Sequence, residues 1–419
     1  MSRSRDIVAR LRKLEGGGLR TFAEDPPLVW ERAEGCHVED ADGRRYLDLY
    51  GGFAVAAIGY GHPSVVEAIQ RQAATMMHCP SAHPSRVRAE FYEALASIAP
   101  AGLDRFLPAV TGAMANEIAI LLAHAHRPEG AIVSFAGSYF GRSVGTVGFA
   151  GKARYREALG IPAGGPFVPF PYPLRHGPGA TDLTMQALED VAAGGTRRIA
   201  AVILEPIQGN GGVVIPPHDF LPRLREFCDR KGALLIVDEI QSGCGRTGRM
   251  WAVEQRGVTP DLMTVGKGIG GGLAVAAVMG RADAMGWKPD SYTSTFLTNN
   301  LNLAAAVAAI GVLRGQQLPG RAAAIGPAGL DRLRSGLAEV EGVREVRGLG
   351  LWYAAELADA GWAGRAVKLA RERGVIVGRS GYDDNVVKLS PPLVIPEADL
   401  LAGIDTLAGA IRDSKGEAA

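Results

Sequence analysis

Leu262-Met263-Thr264-Val265-Gly266-Lys267-Gly268 is a short apolar run that ends in one lysine held between two glycines. The run has the length and composition of a buried strand, and open α/β sheets bind their ligands outside the carboxyl ends of such strands. Read by itself, a lysine there is a surface residue after a strand. The glycines add a second meaning, because without side chains they let a flat molecule approach the backbone and leave the lysine free to swing. A lysine in partly desolvated surroundings loses its proton more easily and can form a Schiff base with a carbonyl.

A second strand supplies a partner. Leu234-Leu235-Ile236-Val237-Asp238-Glu239-Ile240-Gln241 ends in two carboxylates and an amide. Asp238 alone reads as a helix cap or one half of a salt bridge. Beside Lys267 it acquires a chemical use: an acid next to the pyridine nitrogen of pyridoxal phosphate keeps that nitrogen protonated and makes the ring an electron sink. Other glycine patterns are incomplete. Gly266-Lys267-Gly268 lacks the earlier glycine and the hydroxyl residue of a phosphate-binding P-loop, and the run from Gly268 to Gly272 begins after a lysine-bearing strand end, which a dinucleotide loop does not.

Working outward, short apolar runs at 131–135, 199–204, 234–237, 262–265 and 275–279 alternate with segments of helical period. That alternation predicts an α/β domain with a mostly parallel sheet. Phe220, Leu221, Leu224, Phe227 and Cys228 mark one core-facing helix, and Ala115, Ile118, Ala119 and Leu122 mark another. Pro63 opens a helix, residues 164–179 read as a long surface loop, and an alanine-rich helix follows Asn302. The remaining chain reads as a smaller α/β unit with strands at 348–356, 375–377 and 386–389. The expected division is an N-terminal segment at 1–60, a large cofactor-binding domain at 61–310 and a small C-terminal domain at 311–419.

Composition narrows the function. Lys plus Arg number 45 against 44 Asp plus Glu, a net charge of +1, which makes no electrostatic case for nucleic acid or a membrane surface. Hydrophobic residues, 47% of the chain, fall in runs too short to span a bilayer. Arg3, Arg5, Arg10, Arg12 and Lys13 suggest a transit peptide, but Asp6 and Glu15 interrupt them, so a surface helix is expected. Cys36, Cys79, Cys228 and Cys244 lie far apart, without disulfide or zinc spacing, and the eight histidines form no ligand motif. A metal-free enzyme of the cytoplasm fits best.

The ordered motifs resemble the class III, or omega-type, aminotransferases of the fold-type I pyridoxal-phosphate superfamily. The matching stretches are Tyr46-Leu47-Asp48, Gly61-His62-Pro63, Thr111 to Glu117, Gly137 to Arg142, Leu204 to Gly209, Val237 to Gly243, Gly245 to Gly248, the Lys267 run, Ser294-Thr295-Phe296 and Pro391-Pro392-Leu393. The resemblance implies a large domain built on a mostly parallel sheet of the seven-stranded type, followed by a smaller α/β domain. It gives Lys267 as the lysine joined to pyridoxal 5'-phosphate and the carrier of the proton. Asp238 becomes the partner of the pyridine nitrogen and Gln241 of the phenolic oxygen, with Tyr139 and Ile240 on the two ring faces. Gly112 and Ala113 match the helix start that holds the phosphate through backbone N–H groups. Many relatives have a hydroxyl residue where Ala113 stands. Thr295 resembles a residue that reaches the phosphate from a neighbouring subunit, which implies a homodimer.

The same resemblance places Phe53, Arg142, Glu205 and Lys388 toward an amine donor and a 2-oxo acid acceptor such as 2-oxoglutarate or pyruvate. Arg142 matches an arginine that binds the far carboxylate, where paired donors give orientation as well as energy. Two departures stand out. Relatives that use glutamate carry a second arginine before Pro-Pro-Leu and a glutamate that masks it; here these positions hold Lys388 and Asn210. Lysine is a point charge and grips a carboxylate less rigidly, or simply faces solvent. Phe53 offers no hydroxyl where ornithine-specific relatives have tyrosine, and Phe140 makes the wall more apolar still. The expectation is transfer from a primary amine or ω-amino acid. An aminomutase, racemase or decarboxylase would use the same lysine and aspartate, and a non-catalytic cofactor-binding protein would keep the fold without turnover.

Overall fold

Three of the apolar runs, Ile199–Leu204, Leu234–Asp238 and Leu262–Val265, are buried along their whole length, as strands covered by helices on both faces must be. The computed structural model describes residues 2–23, 26–194 and 198–416. These runs belong to a seven-stranded sheet whose strands, in chain order, are β1 (Arg105–Ala109), β2 (Ala131–Phe135), β3 (Phe167–Val168), β4 (Ile199–Leu204), β5 (Leu234–Asp238), β6 (Leu262–Val265) and β7 (Ala276–Gly280). Their spatial order is β1-β7-β6-β5-β4-β2-β3. Neighbours from β3 across to β6 run parallel, whereas β7 is antiparallel to both β6 and β1.

The helix Gly112–His126 links β1 to β2 and buries Ala115, Ile118, Ala119 and Leu122. Phe220–Lys231 does the same with the five residues its spacing marked. The alanine-rich helix Asn300–Gly315 packs on Pro63–Thr75 and Arg86–Ala96. The N-terminal basic segment is the helix Arg3–Leu14, which buries none of its residues. Among the described residues no helix is long and apolar enough to cross a membrane.

Two smaller sheets flank the large one. Trp30–Glu34, His37–Asp40 and Arg45–Asp48 form an antiparallel set completed by Val375–Ile376, which runs parallel to Arg45–Asp48. Val343–Gly348, Tyr353–Leu357, Val386–Leu389 and Gly378–Ser380 form the other, in that spatial order.

Two expectations need correction. The run at 348–356 is not one strand: 349–352 is a hairpin turn, closed by the Leu349 N–H donating to the Trp352 carbonyl, between Val343–Gly348 and the antiparallel Tyr353–Leu357, which takes up the rest of the run. The stretch at 164–179 is not structureless, since it holds β3 and the short helix Pro173–His176. The sheet edge at β1 is not evident in the sequence. It contains Pro108, which an edge strand tolerates because one side of its backbone needs no ladder partner.

Candidate active site

The register of the large sheet sets Asp238, at the end of β5, beside Thr264 of β6. Asp238 is buried, with Oδ1 accepting the Ile240 N–H at 2.8 Å and Oδ2 accepting Asn116 Nδ2 at 2.7 Å. Asn116 reaches down from the helix Gly112–His126, donates to the Phe140 carbonyl at 3.0 Å and accepts Thr264 Oγ1 at 2.8 Å. Its geometry is thereby fixed from three sides. Burial pushes the Asp238 carboxyl up to about 6, against the pull of the Ile240 N–H, the Asn116 amide and the Lys267 amine.

Lys267 follows β6 on the single turn Lys267–Gly270, with φ of 45°. Loss of water lowers its amine from the usual lysine range, and the Asp238 and Glu205 carboxylates oppose that shift. Glu205, at the end of β4, accepts the Tyr139 N–H at 3.0 Å and the Gly209 N–H at 2.8 Å. Burial, with Asp238 nearby, raises it to about 8. Three neighbouring strand ends thus deliver two buried acids and an amine to one place.

The floor of the site is cut to shape. A Cβ on Gly112 would lie 2.8 Å from Ile240 Cδ1, so the start of the helix Gly112–His126 and the Ile240 side chain fit only because that position is bare. Thr111 caps the helix by accepting the Met114 N–H at 3.2 Å, while the N–H groups of Gly112 and Ala113 lie in a first turn that offers no intrahelical acceptor. A helix start of this kind can seat an anion.

Beside Tyr139 lies a group of aromatic and cationic side chains. Tyr139 meets Tyr155 edge to face with ring centroids 5.8 Å apart, and the exposed Arg142 lays its guanidinium over Tyr155 at 4.3 Å. Asn210 donates to the Tyr155 hydroxyl at 3.2 Å. Phe53 is 52% exposed in a left-handed turn in which Gly51, Gly52, Phe53 and Ala54 all have φ between 55° and 65°. Asp48 holds that turn: its carboxylate accepts the N–H groups of Tyr50, Gly51 and Gly52 at 2.7, 3.0 and 3.1 Å and the Tyr60 hydroxyl at 2.6 Å. Phe53 packs on Tyr50 at 4.9 Å.

Lys388 does not face solvent. It is 3% exposed, lies on the inner strand Val386–Leu389 between Ala354 and Gly378, and directs Nζ to the Gly209 carbonyl at 3.2 Å. Small residues on both flanking strands leave room for it. Burial lowers its amine to about 7, with the Lys267 charge adding to the effect. Thr295 stands apart, exposed in the turn before Asn300–Gly315, and among the described residues no hydrogen bond joins it to the cluster. Sequence reasoning missed the roles of Asn116, Tyr155 and Asp48. Asn116 carried a signal, a polar residue beside Ala115 on an otherwise apolar helix face; Tyr155 carried none.

The model of the family described as aminotransferase class-III matches residues 21–411. The chain is a class III aminotransferase. It is 38% identical over 396 residues to an acetylornithine aminotransferase of Methanothermobacter thermautotrophicus, covering 94% of this chain and 96% of that one. It is 34% identical to a 5-aminovalerate aminotransferase of Pseudomonas aeruginosa, covering 95% and 96%. An (S)-enantioselective omega-transaminase from Thermomicrobium roseum superposes with a TM-score of 0.91 at 30% identity, covering 98% of this chain and 99% of that one. The fold is the fold-type I architecture of these enzymes, and the cofactor of this aminotransferase is pyridoxal 5'-phosphate. The residues fit it: a bare helix start for a phosphate, a buried acid with lone pairs to spare and a desolvated amine converge at neighbouring strand ends.

Proposed function

We propose that this aminotransferase moves an amino group from a terminal primary amine or ω-amino acid to a 2-oxo acid, with Lys267 as the anchoring amine and proton carrier. The observation that carries the reading is the convergence of Lys267 and Asp238 at adjacent strand ends, both withdrawn from water. When bound, pyridoxal phosphate supplies a carbonyl for the amine and a ring that accepts electrons. The N–H groups of Gly112 and Ala113 would hold its phosphate, Asp238 its ring nitrogen and Gln241 its phenolic oxygen, with Ile240 and Tyr139 against the ring. Asp238 keeps a negative charge there because Ile240 and Asn116 both donate to it. Lys267, with a lowered affinity for protons, takes one from the reacting carbon and returns it.

Substrate carboxylates fall to Arg142, a cation over the Tyr155 ring, and to Lys388, whose amine lies beside the Tyr50 ring. The apolar Phe53 favours extended substrates over ornithine itself. The acetylornithine and 5-aminovalerate aminotransferases among its relatives are named for substrates that carry an amine far from a carboxylate, which agrees.

The working form is a homodimer with Thr295 contributed to the neighbouring site. Met76, Met77 and Phe296 are exposed at 44%, 58% and 58%. The Leu301 N–H donates to the Met77 carbonyl and Thr298 Oγ1 to the Cys79 carbonyl, so these residues form one apolar patch, of the kind that marks interfaces. Four buried, unpaired cysteines agree with a place in the cytoplasm.

The test is Lys267→Ala. The variant is expected to give no borohydride-fixed adduct and no amino transfer; transfer at the parental rate would overturn the assignment. A donor screen tests the substrate class, and fast turnover of ornithine with no other terminal amine accepted would overturn that part.

A further inference from the structure

We propose that Glu205 and Lys388 form a proton switch: the pair is uncharged while the pocket holds a substrate part without a carboxylate, and becomes carboxylate and ammonium when a substrate carboxylate arrives. The proposal rests on the reading above that one pocket accepts both kinds of partner.

The two groups share one residue. Glu205 Oε2 accepts the N–H of Gly209 at 2.8 Å and Lys388 Nζ donates to the carbonyl of Gly209 at 3.2 Å, so they lie on either side of the same glycine. Both are buried, at 6% and 3% exposure, and among the described residues neither has an ion-pair partner within 4 Å. Lys388 Nζ also lies 5.6 Å from the centre of the Tyr50 ring. A buried charge without an ion-pair partner is costly, so each group relaxes toward its neutral form; for Glu205, burial and the nearby Asp238 outweigh the Tyr139 and Gly209 N–H groups that favour its carboxylate. Of the charges that bear on Lys388, Lys267, Lys152 and Arg20 drive a proton off it, and the Glu205 carboxylate opposes them by drawing one back. The directions agree, with Lys388 lowered to about 7 and Glu205 raised to about 8.

Arginine could not serve here, because a guanidinium keeps its proton. The paired change at Lys388 and Asn210 then has a physical meaning. Asn210 gives its amide to Tyr155 and places no fixed negative charge near Lys388. In the switching step one O–H bond of Glu205 breaks and one N–H bond of Lys388 forms. The charge of the pair is zero before and after. The incoming carboxylate meets a cation, and its departure returns the proton to Glu205.

Calorimetric titration of the holoenzyme with glutarate, an unreactive dicarboxylate, in buffers of different ionisation enthalpy at pH 7.5 counts the protons taken up. The parent is expected to take up close to none, Glu205→Gln close to one per site, and Glu205→Gln with Lys388→Met none. Lys388→Met alone is expected to bind glutarate about tenfold more weakly, the loss of one charged hydrogen bond. A parent that takes up a full proton, or a Lys388→Met enzyme that binds glutarate as tightly as the parent, overturns the switch. Neither result touches the Lys267→Ala test, so the two readings fail separately. Retention of bound cofactor, read from its visible absorbance, shows that each variant is folded.

Discussion

Gly209 and Gln241 occupy one another's space: a Cβ on Gly209 would stand 2.0 Å from Gln241 Oε1. The atom in the way is the end of a flexible side chain, so Gly209→Ala is expected to fold while turning the Gln241 amide away from the ring oxygen it is proposed to meet. Loss of one hydrogen bond weakens cofactor binding about tenfold. Equilibrium dialysis of pyridoxal phosphate against parent and variant checks it, and equal affinities would remove Gln241 from the site.

Asn116 donates one of the hydrogen bonds that hold the Asp238 carboxylate. Asn116→Ala withdraws support from the ionised form, so the carboxyl moves above its present value of about 6 and needs a higher pH to lose its proton. A hydrogen bond to a charged group contributes roughly 1.5–3 kcal/mol, which corresponds to about one to two pH units. The acid limb of the pH profile of kcat/KM should move upward accordingly; a profile that stays in place would show that Asp238 does not set it.

Lys388 carries a stability cost. Its folded-state pKa, about 7, lies below the ordinary lysine value of 10.5, so the native state favours the neutral amine. The stability it permits is present above 10.5 and lost as pH falls toward 7. Lys388→Met, similar in shape and never charged, is expected to make the cofactor-free protein more stable by about 2–4 kcal/mol at pH 7, a gain that shrinks toward pH 10. Urea unfolding at both pH values measures it. Equal stability at pH 7 would mean that the lysine is charged and well compensated where it lies.

Thr295 tests the assembly. If its hydroxyl reaches the phosphate of a second subunit, Thr295→Ala should weaken cofactor binding about tenfold, one hydrogen bond to a charged group, while leaving the dimer intact in light scattering. A monomeric parent would end this reading.

The large sheet was legible because Ile199–Leu204, Leu234–Asp238 and Leu262–Val265 are uninterrupted apolar runs, and burial on both faces demands such runs. Lys267 and Asp238 were legible only together: each alone reads as an ordinary strand-end charge, and it is the pair, with the ordered motifs around it, that points to pyridoxal phosphate. Arg105–Ala109 was hidden by its proline, and the hairpin around residues 349–352 by apolar residues that continue through its turn. Asn116 and Tyr155 act through partners far along the chain, Asp238 and Asn210, and no local pattern announces such pairs. The burial of Lys388 was beyond reach for the same reason, since it depends on Ala354 and Gly378 on flanking strands.

The parallel pairing of Arg45–Asp48 with Val375–Ile376 has a bearing on how the protein is made. Arg44 donates to the Glu372 carbonyl, 328 residues on, and Leu47 and Asp48 find their ladder partners in the same late segment. Contacts of such long range form last, after their loop-closure entropy has been met elsewhere. On the ribosome, the turn that carries Phe53 therefore waits for the strand beside Asp48 until almost the whole polypeptide has emerged. A nascent chain cut short before Val375 would own Lys267 and its sheet yet lack the strand that steadies the doorway to them.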